Sequence, residues 1–381
     1  MIEQTRRKLD QLDEVYPKTR LEKSKARWRA MWNGGVLPDR YPFTYGWPFF
    51  GPYDVSHPPR QRVQAYLDGL LFTGQFGDDL IPSIFPGLNH ASIPSMLGAA
   101  EVRLGLETGC QKLIHKPEDI DRLPVPSLRP GSAAAYWVEA AEVMLAETDG
   151  RIGIHVCDMQ GPFDVCAQLW RYDELILCAY EDPERYHRLL SLATEAFIML
   201  WQAQKAVLGE TFIGTHLFAH DWVPDDCGCS LSADGLVMCS PAFYEEFVAP
   251  YISRVAEALG GVTVHSCGNF LPVLRPLCAT AGVRGVNASQ LTIRQLAEGG
   301  LDPARTITAM TNERDLPEVM RVVREFGLRP VLTIGGFYPF CIVHLENGTP
   351  RTELSAAEWG ALKKREAEIL RLMQSSERTT L

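Results

Sequence analysis

The segment Val262-Thr-Val-His-Ser-Cys-Gly-Asn269 runs an apolar stretch directly into His265 and Cys267 and is broken at Gly268. In a strand, residues i and i+2 point to the same face, so these two side chains share one face at a carboxyl end. Neutral imidazole and thiolate are preferred zinc ligands, and a catalytic zinc takes three protein ligands and keeps one position open. Cys341 is the expected third ligand, because Val331–Ile334 reads as a last strand and Gly335-Gly336 lets the chain turn back over its end; His344 is the substitute. A His-x-Cys pair is common by chance, and it is the placement at a strand end that favours a metal. A second constellation, His220-Asp-Trp-Val-Pro-Asp-Asp-Cys-Gly-Cys229, follows the strand-like Phe212–Leu217 and is expected at the same end. His220, Asp225 and Asp226 are its candidate acid–base groups; an Asp- and Gly-rich turn is the equally weighted alternative. Asp158 and Gln160 after the next-earlier strand, and Asn287 and Gln290 after a later one, are expected to line a ligand pocket. Ser289 reads as the cap of a helix beginning at Leu291, and Trp47 and Phe49 as packing residues.

Such residues need rigid elements to hold them. From Ile152 onward, short apolar runs alternate with longer amphipathic stretches, the pattern of βα units around a parallel sheet. The strand candidates are Ile152–Cys157, Phe212–Leu217, Val262–Val264, Arg284–Asn287, Thr306–Ala309 and Val331–Ile334. Helices are expected at Ala242–Leu259, opened by Ser240-Pro241 and stopped by Gly260-Gly261, at Leu291–Glu298, at Leu316–Phe326 and at Glu353–Gln374. The Gly-rich phosphate fingerprint of an open doubly wound sheet does not occur, so the period favours a (β/α)8 TIM barrel. The Pro-, Gly- and aromatic-rich first part carries helices at Leu21–Trp32 and Arg60–Phe72 and is expected to supply the first barrel strands and a lid. The expected division is an N-terminal helical extension over 1–40 and a barrel over 41–381.

The 381 residues are 46% hydrophobic and carry a net charge of −10, enough for a large core and without the basic patch of a nucleic-acid or anionic-membrane binder. The chain opens on a charged stretch, Met1 to Lys25, and holds no apolar run long enough to span a bilayer, so a cytoplasmic protein is expected. Its ten cysteines are scattered singly in apolar segments and read as reduced thiols, with Cys110, Cys166, Cys178 and Cys278 in the core. The oligomeric state is left open, a homo-oligomer included.

Four segments together resemble the uroporphyrinogen decarboxylase superfamily: His265-Ser-Cys-Gly-Asn269, Asp225-Asp-Cys-Gly228, Ser240-Pro-Ala-Phe-Tyr-Glu-Glu-Phe-Val-Ala-Pro-Tyr251 and Pro38-Asp-Arg-Tyr-Pro42. That resemblance implies a (β/α)8 barrel. The His-x-Cys pair with a distant Cys is similar to the zinc motif of the methylcobamide:coenzyme M methyltransferases, which implies His265, Cys267 and Cys341 as zinc ligands. It further implies methyl transfer between a corrinoid and a thiol or similar small acceptor, with the corrinoid on a partner protein because 381 residues leave no room for its domain. The Arg-Gln-Ala-Gly-Arg type of motif of true uroporphyrinogen decarboxylases is missing around Tyr41–Phe50, which disfavours porphyrinogen as substrate. Two alternatives stand beside methyl transfer: metal-free decarboxylation of another acid, with Asp225 or Asp226 stabilising a developing cation, and a non-catalytic barrel that carries a corrinoid.

Overall fold

In the computed structural model, which describes residues 3–46, 58–104, 107–216, 222–335 and 354–374, the short apolar runs become parallel strands buried on both faces. These are β1 (Phe43–Tyr45), β2 (Ser83–Ile84), β5 (Gly153–His155), β6 (Phe212–Ile213), β7 (Cys229–Ser232), β8 (Val262–Ser266), β9 (Val283–Ala288), β10 (Thr306–Asn312) and β11 (Arg329–Gly335). An antiparallel pair, β3 (Glu101–Leu104) with β4 (Glu107–Cys110), lies apart from them. Six strands form one parallel sheet in the order β1-β11-β10-β9-β8-β7, and three form a second, β2-β5-β6. The first strand thus pairs with the last, Phe43 opposite Leu332.

The two sheets meet without a continuous ladder. On one side, the Asp79 amide donates to the Phe43 carbonyl, and the Asp79 and Asp78 carboxylates accept from the Phe43 and Tyr45 amides. On the other, Gln160 bridges to Ser232 in the parallel sense. Asp79 is fully buried and also takes Arg27 (2.7 Å), Arg40 and Ser24, which ties the helix Lys18–Asn33 to β1 and β2. Trp28, Met31 and Trp32 of that helix lie in the main core.

Helices follow the punctuation of the sequence with local shifts. Leu316–Phe326 ends at Gly327 as expected, and Ser240 caps Pro241 onward, its hydroxyl accepting from the Phe243 amide. The expected helix Ala242–Leu259 is interrupted by a π-turn over Tyr244–Val248 before resuming at Ala249, where Pro250 lacks the amide that a regular ladder needs. The helix expected from Leu291 starts at Ile293, capped by Thr292 in a capping box with Gln295, so Ser289 is not its cap.

Strand β7 is one that the sequence did not suggest. It runs parallel to β8 with Cys229 opposite Val262, so the turn Asp225–Cys227 stands before its amino-terminal end. The entry to β7 needs Gly228: its φ is +78°, and a Cβ would stand 2.0 Å from the Gly261 carbonyl oxygen. Among the described residues no helix is long and apolar enough to cross a membrane, and the nine described cysteines are free thiols; Cys166, Cys178 and Cys278 are buried, whereas Cys110 is only partly so.

Candidate metal centre and its polar wall

Strands β7, β8 and β9 are neighbours, and their register sets Ser232, His265 and Asn287 side by side. Just beyond the strand ends lie Asp234 and Cys267. The Cys267 Sγ is 3.4 Å from His265 Nε2, which is 3.7 Å from Asp234 Oδ1, and the three donor atoms fall within 4.8 Å of one another. Bond lengths of about 2.0–2.3 Å and tetrahedral angles put zinc donors about 3.4–3.6 Å apart, so the spacing and the N, S and O donor set fit that ion. Asp234 Oδ1 also accepts from the Cys267 amide at 2.7 Å, which locks the two loops together.

Asn287 settles which imidazole nitrogen faces the cluster. Its amide group donates to the Thr308 carbonyl (2.8 Å) and hydroxyl (2.7 Å), which turns Oδ1 toward His265 Nδ1. His265 therefore carries its proton on Nδ1 and presents the Nε2 lone pair to Cys267 and Asp234, the orientation that a partner of a metal-binding histidine imposes. Gln290 accepts from the Gly268 amide, and Ser289 lies 3.7 Å from the Cys267 sulfur. Gln290 thus shapes the turn behind Cys267. Burial and the Asp234 charge push the Cys267 thiol up, so a thiolate here calls for a cation. Beneath the Asp234 turn, buried Asp164 accepts from the Gly235 amide at 2.8 Å, and burial pushes its carboxyl up to about 7.

A second polar cluster forms the wall beside Ser232. His216 Nε2 lies 3.0 Å from Asp158 Oδ1 and 3.2 Å from Ser232 Oγ, and its Nδ1 lies 2.9 Å from Ser230 Oγ. Burial lowers His216 to about 4, so near neutral pH it is uncharged and donates Nε2–H to the carboxylate. The Ser230, His216 and Asp158 set is no nucleophilic triad: Ser230 is fully buried and accepts from the His216 backbone amide. Gln160 donates to Asp158 Oδ2 at 2.9 Å, and the half-exposed His90 lies 3.8 Å from the same oxygen. His155, lowered by burial to about 4, lies deeper between Ser83 Oγ (2.9 Å) and the Thr215 carbonyl (2.7 Å).

The structure thus brings His265, Cys267, Asn287 and Gln290 together at one end of the sheet, with Asp158 and Gln160 in the adjoining wall. Asp225 and Asp226 are elsewhere. They precede β7 at the amino-terminal edge, exposed, where Asp226 accepts from Asn33, because β7 carries the chain from that edge to the site. They do not lie at the strand mouth, and acid–base work at this site is not theirs. His220, Cys341, His344, Trp47 and Phe49 lie outside the described residues. Asp234, His216, Ser232 and His90 escaped the sequence reading, although His216 lies within the expected strand Phe212–Leu217.

The family model for uroporphyrinogen decarboxylase (URO-D) matches residues 93–209, a segment that holds Asp158 and Gln160 and stops before the metal-type cluster. No curated protein matches the chain. Among solved structures, a methyltransferase from Methanosarcina mazei superposes with a TM-score of 0.62 at 15% identity, over 91% of this chain and 98% of that one. The chain is thus similar to uroporphyrinogen decarboxylase over residues 93–209 and shares its fold with that methyltransferase.

Proposed function

We propose that this protein is a zinc-dependent methyltransferase that moves a methyl group between a corrinoid, carried on a partner protein, and a thiol or similar small acceptor. The proposal takes the two sheets as arcs of one (β/α)8 barrel with its site at the carboxyl ends of the strands. The observation that carries it is the Asp234, His265 and Cys267 set, with the His265 tautomer fixed by Asn287 for metal binding. The methyltransferase of the same fold supports it from outside the chain.

His265 and Cys267 would hold the zinc, with Asp234 as the third described donor and Cys341, implied by the motif resemblance, as the further sulfur ligand. Zinc there supplies a Lewis acid that keeps an acceptor sulfur as thiolate near neutral pH. The rest of the work belongs to the chain. Asn287 and Thr308 fix the imidazole, Gln290 and Gly268 shape the turn that presents Cys267, and Asp164 holds the Asp234 turn from below. Methyl transfer to sulfur is a displacement, so positioning the two reactants in line is the remaining contribution.

The test combines metal content with transfer from free methylcobalamin to 2-mercaptoethanol, followed by the corrinoid absorbance. Zinc near one equivalent, and loss of both metal and transfer in His265→Ala, are expected. Less than half an equivalent of zinc in the purified protein, with transfer intact in His265→Ala, defeats the proposal.

A further inference from the structure

Asp158 is 4% exposed, yet its only ion-pair partners among the described residues are two imidazoles, His216 and His90; no lysine or arginine reaches it. His216 is held neutral, and Gln160 contributes an uncharged amide. Among the described residues the carboxylate is thus met by uncharged donors alone on its buried side. Here the carboxylate joins the metal-type cluster to solvent. On the inner side, the Ser232 hydroxyl is 3.5 Å from Asp158 Oδ1, and Ser232 is the register partner of His265, one strand spacing away. On the outer side, His90 stands 3.8 Å from Oδ2 with 43% of its side chain exposed.

We propose that Asp158, with Ser232 on the cluster side and His90 on the solvent side, is the relay that removes the proton of the methyl acceptor. This rests on the methyl-transfer reading given above. The acceptor's S–H bond breaks with its electron pair left on sulfur. Its proton passes to Ser232 Oγ as the Ser232 hydroxyl proton moves to the Asp158 carboxylate, and the carboxylic acid so formed delivers a proton through His90 to water. Nothing is oxidised or reduced, and one proton leaves for each thiolate formed. His216 is a positioning residue: Ser230 occupies its Nδ1, so its Nε2–H stays on the carboxylate.

The experiment uses full-length protein loaded with cobalt(II) and mixed rapidly with 2-mercaptoethanol, following growth of the sulfur-to-cobalt absorption band. The cobalt ligand-field spectrum before mixing reports an intact cluster. In Asp158→Asn the band should grow more slowly by on the order of 100-fold, the usual scale of a lost general base. Its final thiol affinity should stay within about twofold, and added formate or imidazole should restore part of the rate. Ser232→Ala should be slowed in the same way, and the surface variant His90→Gln, which carries little risk to folding, less so. Equal rates in wild type, Asp158→Asn and Ser232→Ala overturn the relay alone, as does a slowed rate that small bases leave unchanged. A sulfur band that does not grow when thiol is added to the cobalt-loaded wild type overturns the thiol reading and the relay with it.

Discussion

Replacing Asn287 by alanine removes the group that orients His265 without touching a proposed ligand. Asn287 is buried, spends its amide group on Thr308, and gives its carbonyl oxygen to His265 Nδ1. Without it, the imidazole is free to rotate or to carry its proton on Nε2, where a metal must bind. Losing such an orienting partner costs about 10- to 100-fold in metal affinity, which is about 1.4–2.7 kcal/mol. The metal-free protein should also lose about 1–3 kcal/mol, because buried polar groups of His265 and Thr308 are left unpaired. Zinc affinity is read by competition with a chromophoric chelator, and stability by thermal unfolding of the metal-free forms, which separates the two effects. The same zinc affinity within about twofold in Asn287→Ala, alongside complete loss in His265→Ala, would refute the orientation argument.

Other outcomes follow from buried titratable groups and from the β7 entry. Asp164 titrates near 7 when folded against 3.8 as a free carboxyl, so between those values the folded state keeps a proton that the unfolded chain has released, and stability falls as pH rises. Asp164→Asn keeps the acceptor for the Gly235 amide and should gain on the wild type from about pH 4 to 7, measured as the difference in Tm; a constant difference speaks against a raised carboxyl. His155 and His216 have the opposite sign: lowered from 6.5 to about 4, they leave the unfolded state binding more protons in that window, so stability drops as pH falls through it. His155→Gln should flatten this acid loss in urea titrations at pH 7 and 5, and an unchanged slope would show that His155 is not its source. Gly228→Ala should lower stability by at least about 2 kcal/mol, from left-handed strain and the collision with Gly261; unfolding like wild type would mean that β7 enters the sheet differently.

Several of these positions were legible in the sequence for definite reasons. His265 and Cys267 stand out because an apolar alternation ends on them, and the same logic places Asp158 and Asn287 at strand ends. The role of Asn287 was not legible, since only the β8–β9 register shows that it faces His265 rather than a ligand. Asp225 and Asp226 are expected at the wrong end because Cys229–Ser232 is polar and reads as loop, which hides β7. The same omission concealed Asp234, whose value depends on β7 lying against β8. The two-residue strand β2 carries too little pattern to be read, and its place comes from tertiary pairing with β5, whereas β6 falls inside the expected run Phe212–Leu217.

X-ray absorption at the zinc edge tests the central claim most directly, because it counts the sulfurs around the metal. Zinc-loaded protein should show sulfur near 2.3 Å together with nitrogen or oxygen near 2.0–2.2 Å. Adding 2-mercaptoethanol should raise the sulfur count by one, and Cys267→Ser should lower it by one. A sulfur count that neither thiol nor Cys267→Ser changes would contradict a thiol-accepting zinc at His265 and Cys267.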